Sequence, residues 1–191
     1  MNKLVKFFGD IATSIWCSWS NTRFQQAERF DTSLEQDEFI RDIFGVTRTT
    51  REIYNNFVWT QDGIDQLGDA IVPPPQNYKN LKVAKLHDDC DGFHSALYHY
   101  MYNSGYECYL LSVVAIDGGH CVLIYKDESN KWRVVDYKRV YESFCDINAA
   151  IEDYNNHFQV EYKAKKPFYN GLITYNYFTG KFSRASNIKL D

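Results

Sequence analysis

The stretch Asp88–Tyr137, DDCDGFHSALYHYMYNSGYECYLLSVVAIDGGHCVLIYKDESNKWRVVDY, changes its hydrophobic period once, and that change decides the fold. From Asp89 to about Asn103 the residues Phe93, Ala96, Leu97, Tyr100 and Met101 recur at spacings of three and four, which predicts a helix with one core-facing side. Asp88 or Asp89 stands where an N-cap belongs, and Ser104-Gly105 where the helix should stop. Beyond it the period drops to two. Tyr106 to Ile116 predicts a strand, Gly118-Gly119 a turn, His120 to Tyr125 a second strand, Lys126 to Asn130 a polar turn, and Lys131 to Tyr137 a third strand. A helix followed by consecutive hairpin-linked strands implies an α+β fold with the helix packed on an antiparallel sheet.

Working outward, the chain on the N-terminal side reads as helical. Leu4, Phe7, Phe8, Ile11 and Ile15 form one apolar stripe, and Gly9-Asp10 interrupts the run that a signal peptide would need. Ser33 with Gln36 and Thr49 with Glu52 are capping boxes, the first opening a helix that Gly45 should end. From Thr60 to Asn80 the two glycines and Pro73-Pro74-Pro75 predict an ordered loop or lid. On the C-terminal side Asp146 caps a helix to about Asn156. Phe158–Tyr162 and Leu172–Tyr177 then alternate as strands, with Thr179-Gly180 turning toward Phe182. These readings divide the chain into an N-terminal helical region, 1–58, and a core, 59–191, within one compact domain.

Composition narrows the classes. With 191 residues, 45% of them hydrophobic, the chain can bury a full core without disulfides. A net charge of -4 lacks the basic footprint that nucleic acid requires, and no apolar run is long enough to span a bilayer. Five cysteines at 17, 90, 108, 121 and 145 form no CxxC pair or secreted framework. Reduced thiols fit a cytoplasmic or virion-associated setting. The 15 tyrosines and 13 phenylalanines are read mainly as core.

Within this frame Cys90, His120 and Asp136 follow one another in the order of a nucleophile, its base and the residue that orients the base. Cys90 falls in the first turn of its helix, where free N–H groups and the positive dipole end favour a thiolate and could hold an oxyanion. If the second and third strands join through a five-residue loop, or a three-residue loop at Asp127–Ser129, His120 is expected directly opposite Asp136. An even loop would separate them. The spacing of His87, Cys90 and His94 resembles a metal pattern but lacks a placed fourth ligand, so no metal or other cofactor is expected. His94 is read as a groove-edge or core histidine, His99 and His157 as surface residues, and Cys121 as core.

A cysteine opening a helix in an Asp-Cys-Asp-x-Phe context, a Gly-His heading a strand and a Trp-x-x-x-Asp closing the next resemble the transglutaminase-like superfamily of papain-type enzymes, particularly its bacterial cysteine protease branch. Tyr54 to Trp59, Asp62 and Pro73 to Pro75 resemble the segment that precedes the cysteine in that branch. The likeness covers roughly residues 54–137. It departs from the family at Asp88, where glycine is usual, and at His94, where a small residue is usual. The resemblance implies a papain-like core in which Cys90 is the nucleophile, His120 the general base and Asp136 the orienting residue, with Gln76, Asn77 or Trp59 as oxyanion candidates. It implies acyl transfer at an amide carbonyl of a protein or peptide, including a peptidoglycan stem peptide, by a protease or amidohydrolase. A transglutaminase or deamidase is one alternative. A non-enzymatic phage or bacterial assembly protein that retains the fold is the other.

Overall fold

The structure is a computed structural model that describes residues 3–23, 43–60, 70–83, 85–185, 188 and 190. Two helices come first, α1 (Lys3–Arg23) and α2 (Ile43–Asn55). Then β1 (Phe57–Trp59), α3 (Pro74–Val83) and β2 (Leu86–Asp88) lead into α4 (Cys90–Asn103). Four strands follow, β3 (Cys108–Ala115), β4 (Gly118–Lys126), β5 (Trp132–Asp136) and β6 (Arg139–Phe144), then α5 (Ile147–Glu161), β7 (Tyr169–Asn176) and β8 (Lys181–Arg184). Strands β3 to β8 form one antiparallel sheet in the order β6-β5-β4-β3-β7-β8, while β1 and β2 make a separate parallel pair. The fold is α+β.

Strand alternation sends side chains to two cores. Cys108, Leu110, Cys121, Leu123, Tyr125, Val135, Ile173 and Tyr175 join Phe93, Leu97, Tyr98 and Met101 of α4 on one face. Leu111, Val113, Val122, Ile124, Trp132 and Val134 join Ile147, Ala150, Ile151, Tyr154 and Phe158 of α5 on the other. The α4 spacing read from the sequence is the buried stripe, and Asp89 caps the helix by accepting from the Asp91 N–H at 3.2 Å.

Several expectations are corrected. The β3–β4 turn is Ile116-Asp117, because Ala115 pairs with Gly118, so both glycines belong to the strand. Helix α3 starts at Pro74, where a missing N–H costs nothing since the first turn has no carbonyl to donate to; the triproline thus opens a helix. Helix α2 runs through Gly45 and past Thr49, with Val46, Thr49, Thr50 and Ile53 buried at helical spacing. The Ser33 box lies outside the described residues. Phe158 continues the inner stripe of α5 four residues after Tyr154, so Phe158–Tyr162 is mainly the end of that helix and not a strand. Strand β6 was not anticipated. His99 is buried at 2% exposure, with Nδ1 3.1 Å from the Tyr177 hydroxyl.

The N-terminal region docks on the same sheet as the rest. Helix α1 packs on β7 and β8, where Asn21 donates to the Phe182 carbonyl at 2.9 Å and accepts from its N–H at 2.7 Å. A side-chain amide thus meets backbone groups on an edge strand.

Candidate active site

The ends of β4, β5 and α4 converge on a cluster of titratable groups. Lys126 pairs with Trp132, which leaves a five-residue loop, 127–131, and a register in which Leu123 meets Val135. Extending that register puts Asp136 opposite Val122. His120 and Asp136 therefore share a face but stand diagonally, and the expectation that they face each other directly is corrected. The imidazole spans the offset, with His120 Nε2 3.0 Å from Asp136 Oδ1. The other oxygen, Oδ2, accepts from Tyr154 at 2.8 Å and Tyr162 at 2.7 Å. These two phenols come from α5 and its C-cap, and the His120 ring lies against Phe158 and Tyr162 from the same helix region.

Asp136 is 4% exposed. Burial works to raise its carboxyl, but the bond and charge of His120, then His94 and the Tyr162 hydroxyl, outweigh it and hold the group at about 2. The His–Asp pair therefore contains a carboxylate. Since that carboxylate only accepts, His120 carries its proton on Nε2 when neutral, and the Nδ1 lone pair faces away from Asp136.

Cys90 approaches from the other side of the strand. It packs with the α4-face core, and its Sγ accepts from the Cys121 N–H at 3.4 Å. The thiol thus touches the residue next to His120. Among the described residues, neither imidazole hydrogen-bonds to it. Burial pushes this thiol well above its ordinary range, and Cys121, Asp89 and Asp91 push the same way, against the Cys121 N–H. The thiolate expected from the helix dipole is corrected to a neutral thiol. Desolvation first, and then the Cys121 thiol and two flanking carboxylates, outweigh the first-turn N–H groups.

His94 connects the two sides. It is 0% exposed, with Nδ1 2.6 Å from the Cys90 carbonyl and Nε2 3.0 Å from the Tyr137 backbone nitrogen. The Tyr137 N–H must donate, so Nε2 is the acceptor and Nδ1–H donates to Cys90. Burial lowers His94 to about 4, more than nearby Asp136 restores. His94 is thus a neutral strut from the turn that carries Cys90 to the residue after Asp136. Tyr137 adopts a left-handed conformation (φ 46°), which turns the chain out of β5 and brings its ring against Phe93, His94 and His120. The Trp59 side chain stands beside the Tyr137 phenol, with Trp59 itself 60% exposed.

The oxyanion candidates are thereby placed. Asn77 spends its amide N–H on the Gly92 carbonyl at 3.1 Å, tying α3 to α4, while its buried Oδ1 has no hydrogen-bond partner among the described residues. Trp59 lies beside the Tyr137 phenol. Gln76 is half-buried in the first turn of α3, where its backbone N–H bonds to the Pro73 carbonyl. His87 is exposed on β2 and does not join His94. Asp88, Asp89 and Asp91 bring carboxylate oxygens within 4.8 Å of one another, but Asp88 and Asp89 also accept backbone N–H groups as caps.

Tyr137, Tyr154 and Tyr162 were not singled out from the sequence. Only Tyr154 had a usable signal, as an inward polar-tipped position on α5. No family model, curated protein or solved structure matches this chain. No helix among the described residues is long and apolar enough to cross a membrane.

Proposed function

We propose that this chain is a cysteine-dependent acyl-transfer enzyme with a papain-like, transglutaminase-like core, acting on an amide carbonyl of a protein or peptide. The observation that carries this reading is the His120–Asp136 bond at 3.0 Å, whose carboxylate is held by the hydroxyls of Tyr154 and Tyr162, beside a sulfur in contact with the next residue's amide. Two phenol donors on one carboxylate oxygen preset its position and keep it ionised.

The chemistry that fits starts from a neutral thiol. His120 Nδ1 withdraws the Cys90 proton as sulfur bonds to the carbonyl carbon, after a side-chain rotation that breaks the contact with the Cys121 N–H. That N–H is then available to the carbonyl oxygen. The imidazolium, stabilised by Asp136, gives its proton to the leaving amine as the C–N bond breaks. Water, activated by the same Nδ1, then cleaves the thioester and regenerates the thiol. Hydrolysis of a peptide bond, including one in a peptidoglycan stem peptide, makes a protease or amidohydrolase. Attack by an amine makes a transglutaminase, and hydrolysis of a glutamine side chain makes a deamidase.

Burst acylation with a p-nitrophenyl ester of a blocked amino acid tests the proposal. A burst of one equivalent is expected, lost in Cys90→Ala and reduced about a hundredfold or more in His120→Ala and Asp136→Asn. A burst that survives His120→Ala refutes the triad. The second reading, a non-enzymatic binding or assembly protein, is favoured by the raised Cys90 thiol without a bond to His120. It predicts no burst at all.

A further inference from the structure

Helix α1 is amphipathic the wrong way round. The residues it buries are small or polar: Gly9, Thr13, Cys17 and Ser20. Gly9 lies against the Tyr169 ring, Thr13 donates to the Tyr169 hydroxyl at 3.0 Å, and Ser20 accepts from the Ile71 N–H at 3.0 Å. The large apolar residues Leu4, Phe7, Phe8, Ile11, Ile15 and Trp19 all face outward, each more than two-fifths exposed. Their spacing keeps them within one stripe of the helix. A stripe of six large side chains left in water exceeds the scatter of single apolar residues that every surface carries.

The stripe does not end at the helix. Phe8 also lines a cavity of about 480 Å³ between α1 and the sheet, with Val5, Ala12, Trp16, Val114 and Phe168. Phe168 is itself half exposed at this rim, and Ile116 projects from the adjacent β3–β4 turn at 83% exposure. The charges around this apolar surface are mostly positive. Helix α1 carries exposed Lys3 and Arg23, and Lys6 whose ammonium donates to the Leu190 carbonyl, against one acid, Asp10, which is paired with Arg184 at 3.1 Å. The segment leading to Phe168 adds exposed Lys163, Lys165 and Lys166, and the neighbouring Asp117 accepts from the Lys165 N–H. A chain of net charge -4 thus gathers positive charge around this exposed apolar stripe.

We propose that α1, with the rim at Ile116 and Phe168, docks this protein on an anionic lipid surface. An apolar helix face flanked by lysines matches the headgroup–acyl boundary, where side chains enter the hydrocarbon and ammonium groups meet phosphates. The cavity beside Phe8 gives an inserted acyl chain a protein wall. Charge complementarity selects lipid over a second copy, since pairing two such faces would set like charges against each other. The proposal does not depend on the acyl-transfer reading.

Co-sedimentation of the full chain with vesicles tests it. Binding to phosphatidylcholine–phosphatidylserine vesicles is expected, weakened at high salt and at least roughly tenfold weaker on phosphatidylcholine alone. The double variant Phe7→Glu/Ile11→Glu should abolish binding and Lys165→Glu/Lys166→Glu should weaken it about tenfold, both with wild-type circular dichroism because the sites are exposed. No binding, or equal binding to both vesicles, overturns the proposal. So does a dimer in solution that Phe7→Glu/Ile11→Glu dissociates while vesicles bind neither form, which assigns the face to a second copy.

Discussion

His94 makes stability depend on pH in a window of its own. Its folded-state value of about 4 lies below the ordinary 6.5, so the unfolded chain takes up the proton first. Stability from the neutral imidazole is complete above about 6.5 and is lost progressively until pH falls through about 4, a loss on the order of 3 kcal/mol. The physical cost is specific: a proton on Nε2 removes the acceptor of the Tyr137 N–H and charges a fully buried ring. Asp136, held near 2, contributes in the same direction only at lower pH, so the two effects separate. His94→Gln presents an amide oxygen to the Tyr137 N–H and does not titrate. Urea unfolding followed by tryptophan fluorescence at several pH values from 7 to 4 gives the slopes. The wild type should lose about 3 kcal/mol more than the variant across the window, whatever their difference at pH 7. Equal slopes, or an NMR titration of His94 centred near 6.5, would refute the reasoning.

Other perturbations read out neighbouring contacts. Gly92→Ala should destabilise by about 1–3 kcal/mol in urea, because a Cβ there collides with the buried Asp88 side chain, which also accepts from the Asp89 N–H at 2.9 Å. Tyr154→Phe removes a buried donor to a carboxylate and should cost about 2 kcal/mol. It should also move the Asp136 carboxyl upward from about 2 in a carbon-detected NMR titration, and an unchanged value would contradict the clamp. Ellman's reagent on native protein should find one fast thiol, the exposed Cys145, and Cys145→Ser should remove it, since Cys17, Cys108 and Cys121 are buried. A second fast thiol in that variant would show that Cys90 is not held neutral by its surroundings.

Local pattern exposed much of the fold and about half of the candidate site. Helix α4 and its Asp89 cap were legible because one buried stripe and one cap describe them completely. The shared face of His120 and Asp136 followed from strand alternation, but a five-residue loop sets Asp136 opposite Val122, and only the three-residue loop would place it directly opposite His120. The end of α5 was obscured because Phe158, Val160 and Tyr162 alternate as a strand would, while burial selects only Phe158. Strand β6 was hidden by the left-handed Tyr137, a bend that a tyrosine does not advertise. The clamps on Asp136 come from residues 18 and 26 positions away, through packing of α5 on the sheet. At Cys90 burial, which the sequence does not show, and the carboxylates of Asp89 and Asp91, which it does, both oppose the helix dipole.

The docking of α1 on β7 and β8 also bears on the order of folding. Asn21 bonds to Phe182 across 161 residues, so the inner face of the first helix waits for the last strands to be made. During synthesis α1 emerges before those strands, so neither of its faces is yet covered by the sheet. The sheet can begin from the local hairpins β3–β4 and β4–β5, while closure of α1 on the edge belongs to the slow, long-range end of the process. Truncation before Tyr169 would therefore leave a helix with a largely apolar outer stripe and no β7 or β8 behind it, a nascent state that invites chaperone capture.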